Sequence, residues 1–260
     1  MQYPDRHHPC FFLEDALRAL GADAVVVRDE RTLGCWGLIV NGRVMVWLID
    51  NRHPHESVKE DPAATELLRR GALVAHAQKP DALRVGGKWL PLAVSPGYRT
   101  PDKPVEKLYD VGFCGFVRDS GRQSVLANVA RHFNLHVAQG VFGDEAVNVY
   151  WQSRIALNVP TGYGKPDSYD SANMRLFEIL ATGTVLLTSF EHYLPELGLY
   201  IGIEGTNALW YSDVDTLIGR IEGMLSRPDR LEEQGAAGAK LAAERHTYAE
   251  RARTVLEWLK

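Results

Sequence analysis

Apolar and polar positions along the chain change period repeatedly, and each change predicts an element. Residues 11–20 carry apolar side chains at helical spacing and end at Gly21, which predicts an amphipathic helix. Residues 24–27 are a β-branched run, hence a strand. Two β-rich runs, 35–40 and 44–49, flank Asn41-Gly42, a strong hairpin signal. The second run leads into Asp50-Asn-Arg-His-Pro-His55, a polar cluster beyond a strand's C-terminal end. Asp61 and Pro62 open a short helix to Arg70, and residues 72–77 and 89–94 read as strands. Residues 100–107, TPDKPVEK, have the proline and charge of a linker.

Beyond residue 107 the alternation continues. Strands are predicted at 109–117, 135–138 and 155–159, and helices at 123–132 and 145–152. A Gly/Pro/Tyr loop at 160–168 delivers the chain to the stretch around which it is organised, residues 170–188, DSANMRLFEILATGTVLLT. Asp170 or Ser171 is suited to cap a helix in which Met174, Phe177, Leu180 and Ala181 form a buried stripe. Gly183 follows as a left-handed C-cap, and residues 184–188 read as a buried strand. Ser171, Arg175, Glu178 and Thr182 share a neighbouring face, where hydroxyl, guanidinium and carboxylate groups suit an anionic, hydroxyl-bearing ligand. The ordinary alternative is that Arg175 and Glu178 are an i,i+3 surface pair. Further on, residues 191–197 predict a short helix, and Ser212 with Asp215 resembles a capping box for a helix to Leu225. Pro228 opens a helix that Ala-rich and Arg-rich segments carry to Lys260.

Strands alternating with helices in both halves predict parallel sheets covered on both faces. The linker near residue 100 divides them into two α/β domains facing across a cleft, a place for a nucleotide-containing ligand. Composition narrows the function classes. With 45% hydrophobic and 24% charged residues, the 260-residue chain is that of a globular protein with a sizeable core. A formal charge of -4 argues against non-specific nucleic-acid binding as the main role. Cys10, Cys35 and Cys114 match neither a disulfide framework nor a metal cluster, which implies a reducing compartment. No apolar run approaches the ~20 residues of a membrane span, and the N-terminus has no signal-peptide core, so the cytoplasm is expected.

Four segments carry a family resemblance. Asn173-Met-Arg-Leu-Phe-Glu178 with Ala181-Thr-Gly183 resembles an N-x-R-x-F-E…A-x-G block. Tyr150 with Arg154-Ile-Ala-Leu-Asn158 is similar to the segment upstream of it. His246-Thr-Tyr-Ala-Glu-Arg251 looks like an H-T-Y-x-x-R signature, and Trp89-Leu-Pro-Leu-Ala93 like the strand entering an interdomain linker. Together they resemble the group 1 glycosyltransferases of two-Rossmann (GT-B) architecture, and within them the CgeB-like, spore-maturation type. The resemblance implies an N-terminal, acceptor-side domain at 1–100, shortened relative to the family. It also implies a nucleotide-sugar-binding domain at 101–260, with the C-terminal helix crossing back to the first.

The resemblance also assigns roles. Asp170 and Glu178 stand eight apart, the spacing of the paired acids of retaining GT-B enzymes, where both are usually Glu. Glu178 is implied to bind the ribose hydroxyls of the donor, and Asp170 the donor sugar or its phosphates. Residues 112–115 and Arg118 align with the family's G-x-x-G loop. Arg118, Arg122, Arg175 and Asn173 at the start of the central helix are the candidates for the donor's diphosphate end. Tyr163 is placed to stack on, or hydrogen-bond, the donor base or sugar. Asp50, His53 and His55 are candidates for the catalytic base or an acceptor contact, since neutral histidine suits proton abstraction; the alternative is a solvated polar loop. His7 and His8 are lesser candidates. His246, Tyr248 and the set Trp36, Trp47 and Trp89 read as packing residues.

The expected activity is transfer of a sugar from a nucleotide-diphosphate donor, such as a UDP-sugar, to an acceptor hydroxyl. No Asp-x-Asp triplet on a predicted strand end and no His/Cys metal spacing is found, so neither metal nor cofactor is expected. Retention of configuration is implied by the resemblance alone. A non-catalytic nucleotide-sugar or glycan binder, or an epimerase on the same fold, are the rival readings, and the acceptor is unidentified.

Overall fold

A computed structural model describes residues 8–29, 35–49, 69–77, 82, 87–160, 173–189 and 208–260. The predicted helices at 61–70 and 191–197, save for its last residues in the first case, lie outside them. The chain forms two compact units, Met1–Ala93 with His246–Lys260, and Val94–Arg245.

The first unit begins with α1 (Pro9–Ala19). His8 caps it, its Nδ1 accepting from the Cys10 amide at 3.3 Å, and Pro9 takes the position where a missing N–H costs nothing. Cys10, Leu13 and Leu17 are fully buried at helical spacing. Five strands follow: β1 (Ala24–Asp29), β2 (Cys35–Val40), β3 (Arg43–Leu48), β4 (Leu73–His76) and β5 (Lys88–Trp89), adjacent in that order. The β2–β3 hairpin forms as expected, with Asn41 and Gly42 at φ +51° and +77°, the two positive values a type I′ turn needs. It also corrects the parallel-sheet expectation for this half. A two-residue connection joins only antiparallel strands, so β2–β3 is antiparallel; β1–β2 is antiparallel as well, and only β3–β4–β5 is parallel.

The last helix, α7 (Tyr248–Trp258), belongs to the same unit. A single helix from Pro228 to the C-terminus was the expectation; the chain instead breaks after α6 (Pro228–Arg245). Thr247 restarts it as an N-cap, accepting from the Glu250 amide at 3.3 Å. Tyr248 packs edge-on to Phe12 and Trp47, with ring centroids 5.3 and 6.4 Å away. Buried Arg251 donates to the carbonyls of Pro91 and Leu92 at 2.9 Å each and lies 3.4 Å from buried His246. The H-T-Y-x-x-R segment therefore works as a cap, a ring wedge and a backbone clasp.

The second unit holds β6 (Tyr109–Cys114), α2 (Ser120–His132), β7 (Leu135–Ala138), α3 (Asp144–Trp151), β8 (Ser153–Asn158), α4 (Met174–Ala181), β9 (Val185–Ser189), β10 (Ala208–Tyr211), α5 (Val214–Leu225) and α6. Its sheet is parallel throughout, in the order β10-β9-β8-β6-β7. Alternate residues bury on the two faces. Val111, Phe113, Ile155, Leu157, Val185, Leu187, Leu209 and Tyr211 meet Val125 and Val129 of α2 and Leu217 and Ile221 of α5. On the other face Gly112 leaves no room for a Cβ beside Ser153 and α3, which closes on the sheet there.

Cap positions differ from expectation in two helices. Asp213, not Ser212, caps α5, because its carboxylate reaches the Thr216 amide at 2.7 Å while Ser212 Oγ donates to that same carboxylate. Asn173, not Asp170 or Ser171, is the N-cap of α4. Nor is α4 a one-sided stripe: Leu176 through Ala181 are all buried, since the helix lies between strands and α6. Gly183, at φ +73°, ends it as predicted, and its carbonyl stands so close to Gly235 of α6 that a Cβ there would collide.

Candidate active site

Counting strands from β6, the sheet order is 2-1-3-4-5 read from the other edge, and successive connections leave in opposite directions at β6 and β8. In such sheets ligands bind beyond the carboxyl ends of the two strands at that reversal. Here those ends are Cys114, followed by Gly115, and Asn158.

Arg175, in the first turn of α4, lies between them. Its Nη1 donates to Asn158 Oδ1 at 3.1 Å, and its guanidinium carbon sits 4.9 Å from the Phe113 ring centroid. Gly115 has φ +146° and no side chain, and a Cβ there would run into the guanidinium. Among the described residues no carboxylate forms an ion pair with Arg175. Asn158 is fully buried. Its Oδ1 accepts from Asn173 Nδ2, at 3.1 Å, as well as from Arg175, and its Nδ2 donates to Thr188 Oγ1 at 3.0 Å. Because Asn173 is turned toward Asn158, it makes no side-chain capping bond to its own helix, and its buried Oδ1 accepts no hydrogen bond among the described residues.

One turn along, Glu178 is buried, and its Oε1 accepts from Ser95 Oγ at 2.6 Å. Burial raises its carboxyl above the usual range, while the Ser95 bond and the Arg175 charge pull the other way. This removes the surface-pair alternative for Arg175 and Glu178. Burial likewise lifts the Tyr98 and Tyr150 phenols, and the Cys114 thiol to about 12, so these groups stand neutral around the carboxyl.

Arg122 is also buried, with Nε donating to Val159 O at 3.0 Å and Nη1 to Phe116 O at 2.6 Å. Its guanidinium lies 5.5 Å from the same Phe113 ring that Arg175 covers. Burial first, and Arg175 second, lower its pKa to about 10. Exposed Arg118 rests 4.5 Å over Phe116. His8, a lesser candidate, is buried at the α1 cap, where its ring nitrogen is used for the amide. Asp50, His53, His55, Tyr163 and Asp170 lie outside the described residues, as does His7. The sequence alone assigns no role to Asn158, Ser95 or Phe113. Each sits in an apolar or linker context, and only the strand order brings it to Arg175 or Glu178. Among the described residues no group of three or more His, Cys, Asp or Glu side chains is placed to hold a metal, and no helix is long and apolar enough to cross a membrane.

Comparison with known proteins gives the fold its context. HepE from Anabaena, solved with UDP, is similar over 83% of this chain and 71% of its own, at 14% identity and TM-score 0.61. A glycosyltransferase from Rickettsia africae matches over 99% of this chain and 83% of its own, at 12% identity and TM-score 0.58. Sucrose-phosphate synthase from Thermosynechococcus elongatus matches over 79% and 62%, at 12% identity and TM-score 0.52. These likenesses show a shared α/β fold with parallel sheets, that of GT-B glycosyltransferases. None of the curated proteins matches the sequence. The model of one protein family does match, over residues 107–257, more than half of the chain, including Arg175, Asn158 and Glu178 but not Ser95. By that match the chain belongs to the glycosyl transferase-like family, whose members are glycosyltransferases.

Proposed function

We propose that the protein transfers a sugar from a nucleotide-diphosphate donor to an acceptor hydroxyl, without a metal and with retention at the anomeric carbon. The observation that carries this reading is Arg175: a cation at a helix N-terminus and at the strand reversal, with no carboxylate pairing it among the described residues. As the donor bond breaks, negative charge grows on the leaving diphosphate. A fixed guanidinium and the helix dipole stabilise that charge where it develops. Glu178 accepts hydrogen bonds from the ribose hydroxyls, with Ser95 holding the carboxylate in place. Asp170, eight residues before Glu178, serves the donor sugar or its phosphates, and Tyr163 its base or sugar. Arg118 supplements the diphosphate charge, and buried Arg122, 3.9 Å from the Asp119 carboxylate and on the same Phe113 ring as Arg175, adds to it in part. Asp50, His53 and His55 are the candidates for activating the acceptor. Uridine is the favoured base, since HepE has been solved with UDP and with UDP-glucose. Within the family the CgeB-like type fits best, on the motifs around Asn173 and His246. The free buried thiols of Cys10 and Cys114 suit a reducing compartment, and we assign the reaction to the cytoplasm.

Thermal shift against UDP-, GDP-, dTDP- and ADP-sugars and the free nucleotides tests the reading. At 100 times its Kd a donor adds about 2.7 kcal/mol of stability. One nucleotide class should stabilise the wild type strongly and Glu178→Ala or Arg175→Gln little. A folded wild type indifferent to all of them would sink the proposal. Binding without slow donor hydrolysis would favour a sugar-nucleotide binder instead.

A further inference from the structure

Asn158 has no part in the chemistry described so far, yet it is the most fully committed polar side chain at the site. It ends β8, is fully buried, and uses its amide in three hydrogen bonds to three different partners. Its orientation is fixed by those partners. Oδ1 faces two N–H donors, from Asn173 and Arg175, while Nδ2 faces the hydroxyl of Thr188 on β9. A flipped amide would set N–H groups against N–H groups. The bond to Asn158 is the one hydrogen bond that Arg175 makes among the described residues.

Among the described residues the other supports of Arg175 are as uncharged as Asn158. Phe113 offers a ring face, and Gly115 offers space that any side chain would fill. A half-buried arginine can be held by a carboxylate, which fixes the guanidinium and also cancels its charge. Among the described residues the fixing is done by an amide, a ring and a glycine, and no carboxylate forms an ion pair with the guanidinium.

We propose that Asn158 is a positioning residue that locks Arg175 toward the strand ends while leaving its charge to a bound diphosphate. This deepens the transferase reading and rests on it. It assigns the neutrality of residue 158, rather than its shape, to the recognition of phosphate. Asp has nearly the same shape as Asn but would pair with Arg175 and cancel it.

The test is calorimetric titration of the full chain with UDP, GDP, dTDP and ADP, and with uridine, guanosine, thymidine and adenosine. For the diphosphate that binds wild type, Asn158→Asp should weaken binding by roughly tenfold or more, because one charge-assisted contact is lost. The matching nucleoside, which lacks phosphate, should bind within about twofold of wild type, well under the 1.4 kcal/mol of a tenfold change. In an Arg175→Gln background Asn158→Asp should add no further loss, since its effect runs through the guanidinium. Should Asn158→Asp fail to fold, Thr188→Val decides: it removes the acceptor that orients the Asn158 amide, and should cost diphosphate more than nucleoside. Wild-type diphosphate affinity in Asn158→Asp overturns the inference and leaves the transferase reading intact. Equal losses for diphosphate and nucleoside mean a merely structural residue and overturn it too. A wild type that binds no diphosphate overturns both readings together.

Discussion

Glu178 shows what a single residue does when its surroundings change. In sequence it is one of many glutamates on a helix. In the fold it is buried, bonded to Ser95, and surrounded by groups that burial keeps neutral. Its carboxyl is raised in the folded state, so the protonated form is the comfortable one there. That contribution to stability is fully present below the ordinary carboxylate range and is lost as pH rises through the raised value. Glu178→Gln keeps the shape and the Ser95 bond but cannot ionise. Its Tm should match wild type in acid and exceed it increasingly toward neutral pH, while donor binding falls. A pH series of melts reads this directly, and an advantage for wild type that grows with pH would contradict the burial argument. A site that costs stability where it serves function is the expected trade-off.

At the scale of elements, helix contacts here are set by glycines whose consequences differ by place. Gly219 in α5 has open space where a Cβ would go, and Gly235 in α6 meets the Gly183 carbonyl. Gly219→Ala should therefore stabilise by about 0.5–1 kcal/mol, through helix propensity and a less free unfolded chain. Gly235→Ala should destabilise by about 1–3 kcal/mol, because α6 must move off the end of α4. Urea midpoints of the two variants should shift in opposite directions, and a shared direction would mean that the α4–α6 contact does not limit the packing. Much of this layer was legible in the sequence. The Asn41-Gly42 hairpin and the Gly183 stop both carry backbone demands that few residues meet. Cap positions were less legible. Asp213 and Ser212 are each able to cap, and the choice falls to Asp213 because its carboxylate reaches the Thr216 amide, whereas Asn173 holds the cap position of α4 with its side chain bonded to Asn158 instead. The short strand β10 is not legible in the sequence, since four residues at 208–211 carry too little pattern to separate from loop.

At the scale of the whole molecule the two units differ in how the chain builds them. The second is continuous from Val94 to Arg245, whereas the first takes its last helix from the C-terminus. Arg251 is the clasp for that helix, and burial lowers its pKa to about 10. Arg251→Met leaves the Pro91 and Leu92 carbonyls without their charged donor, at a cost of about 3 kcal/mol. Amide exchange should quicken across β1–β4 and α7 while β6, β8 and β9 keep their protection. Equal loss of protection in both units would show that they unfold as one.

Periodicity, turn chemistry and short motifs determined, from the sequence by themselves, that this is an α/β protein with a helix–turn–strand unit at its centre, and the motifs pointed to Arg175 and Glu178. Those features are local: they depend on neighbours within a turn or two of helix or strand, which a linear reading contains. The strand order, the mixed sheet of the first unit, and the company that Arg175 and Glu178 keep were decided only by tertiary structure. Asn158 and Arg175 are 17 residues apart, and Ser95 and Glu178 are 83 apart. Nothing in either segment specifies which partner waits across the sheet. Long-range pairing is settled by how whole apolar faces bury together, and the polar groups carried on those faces meet as a result.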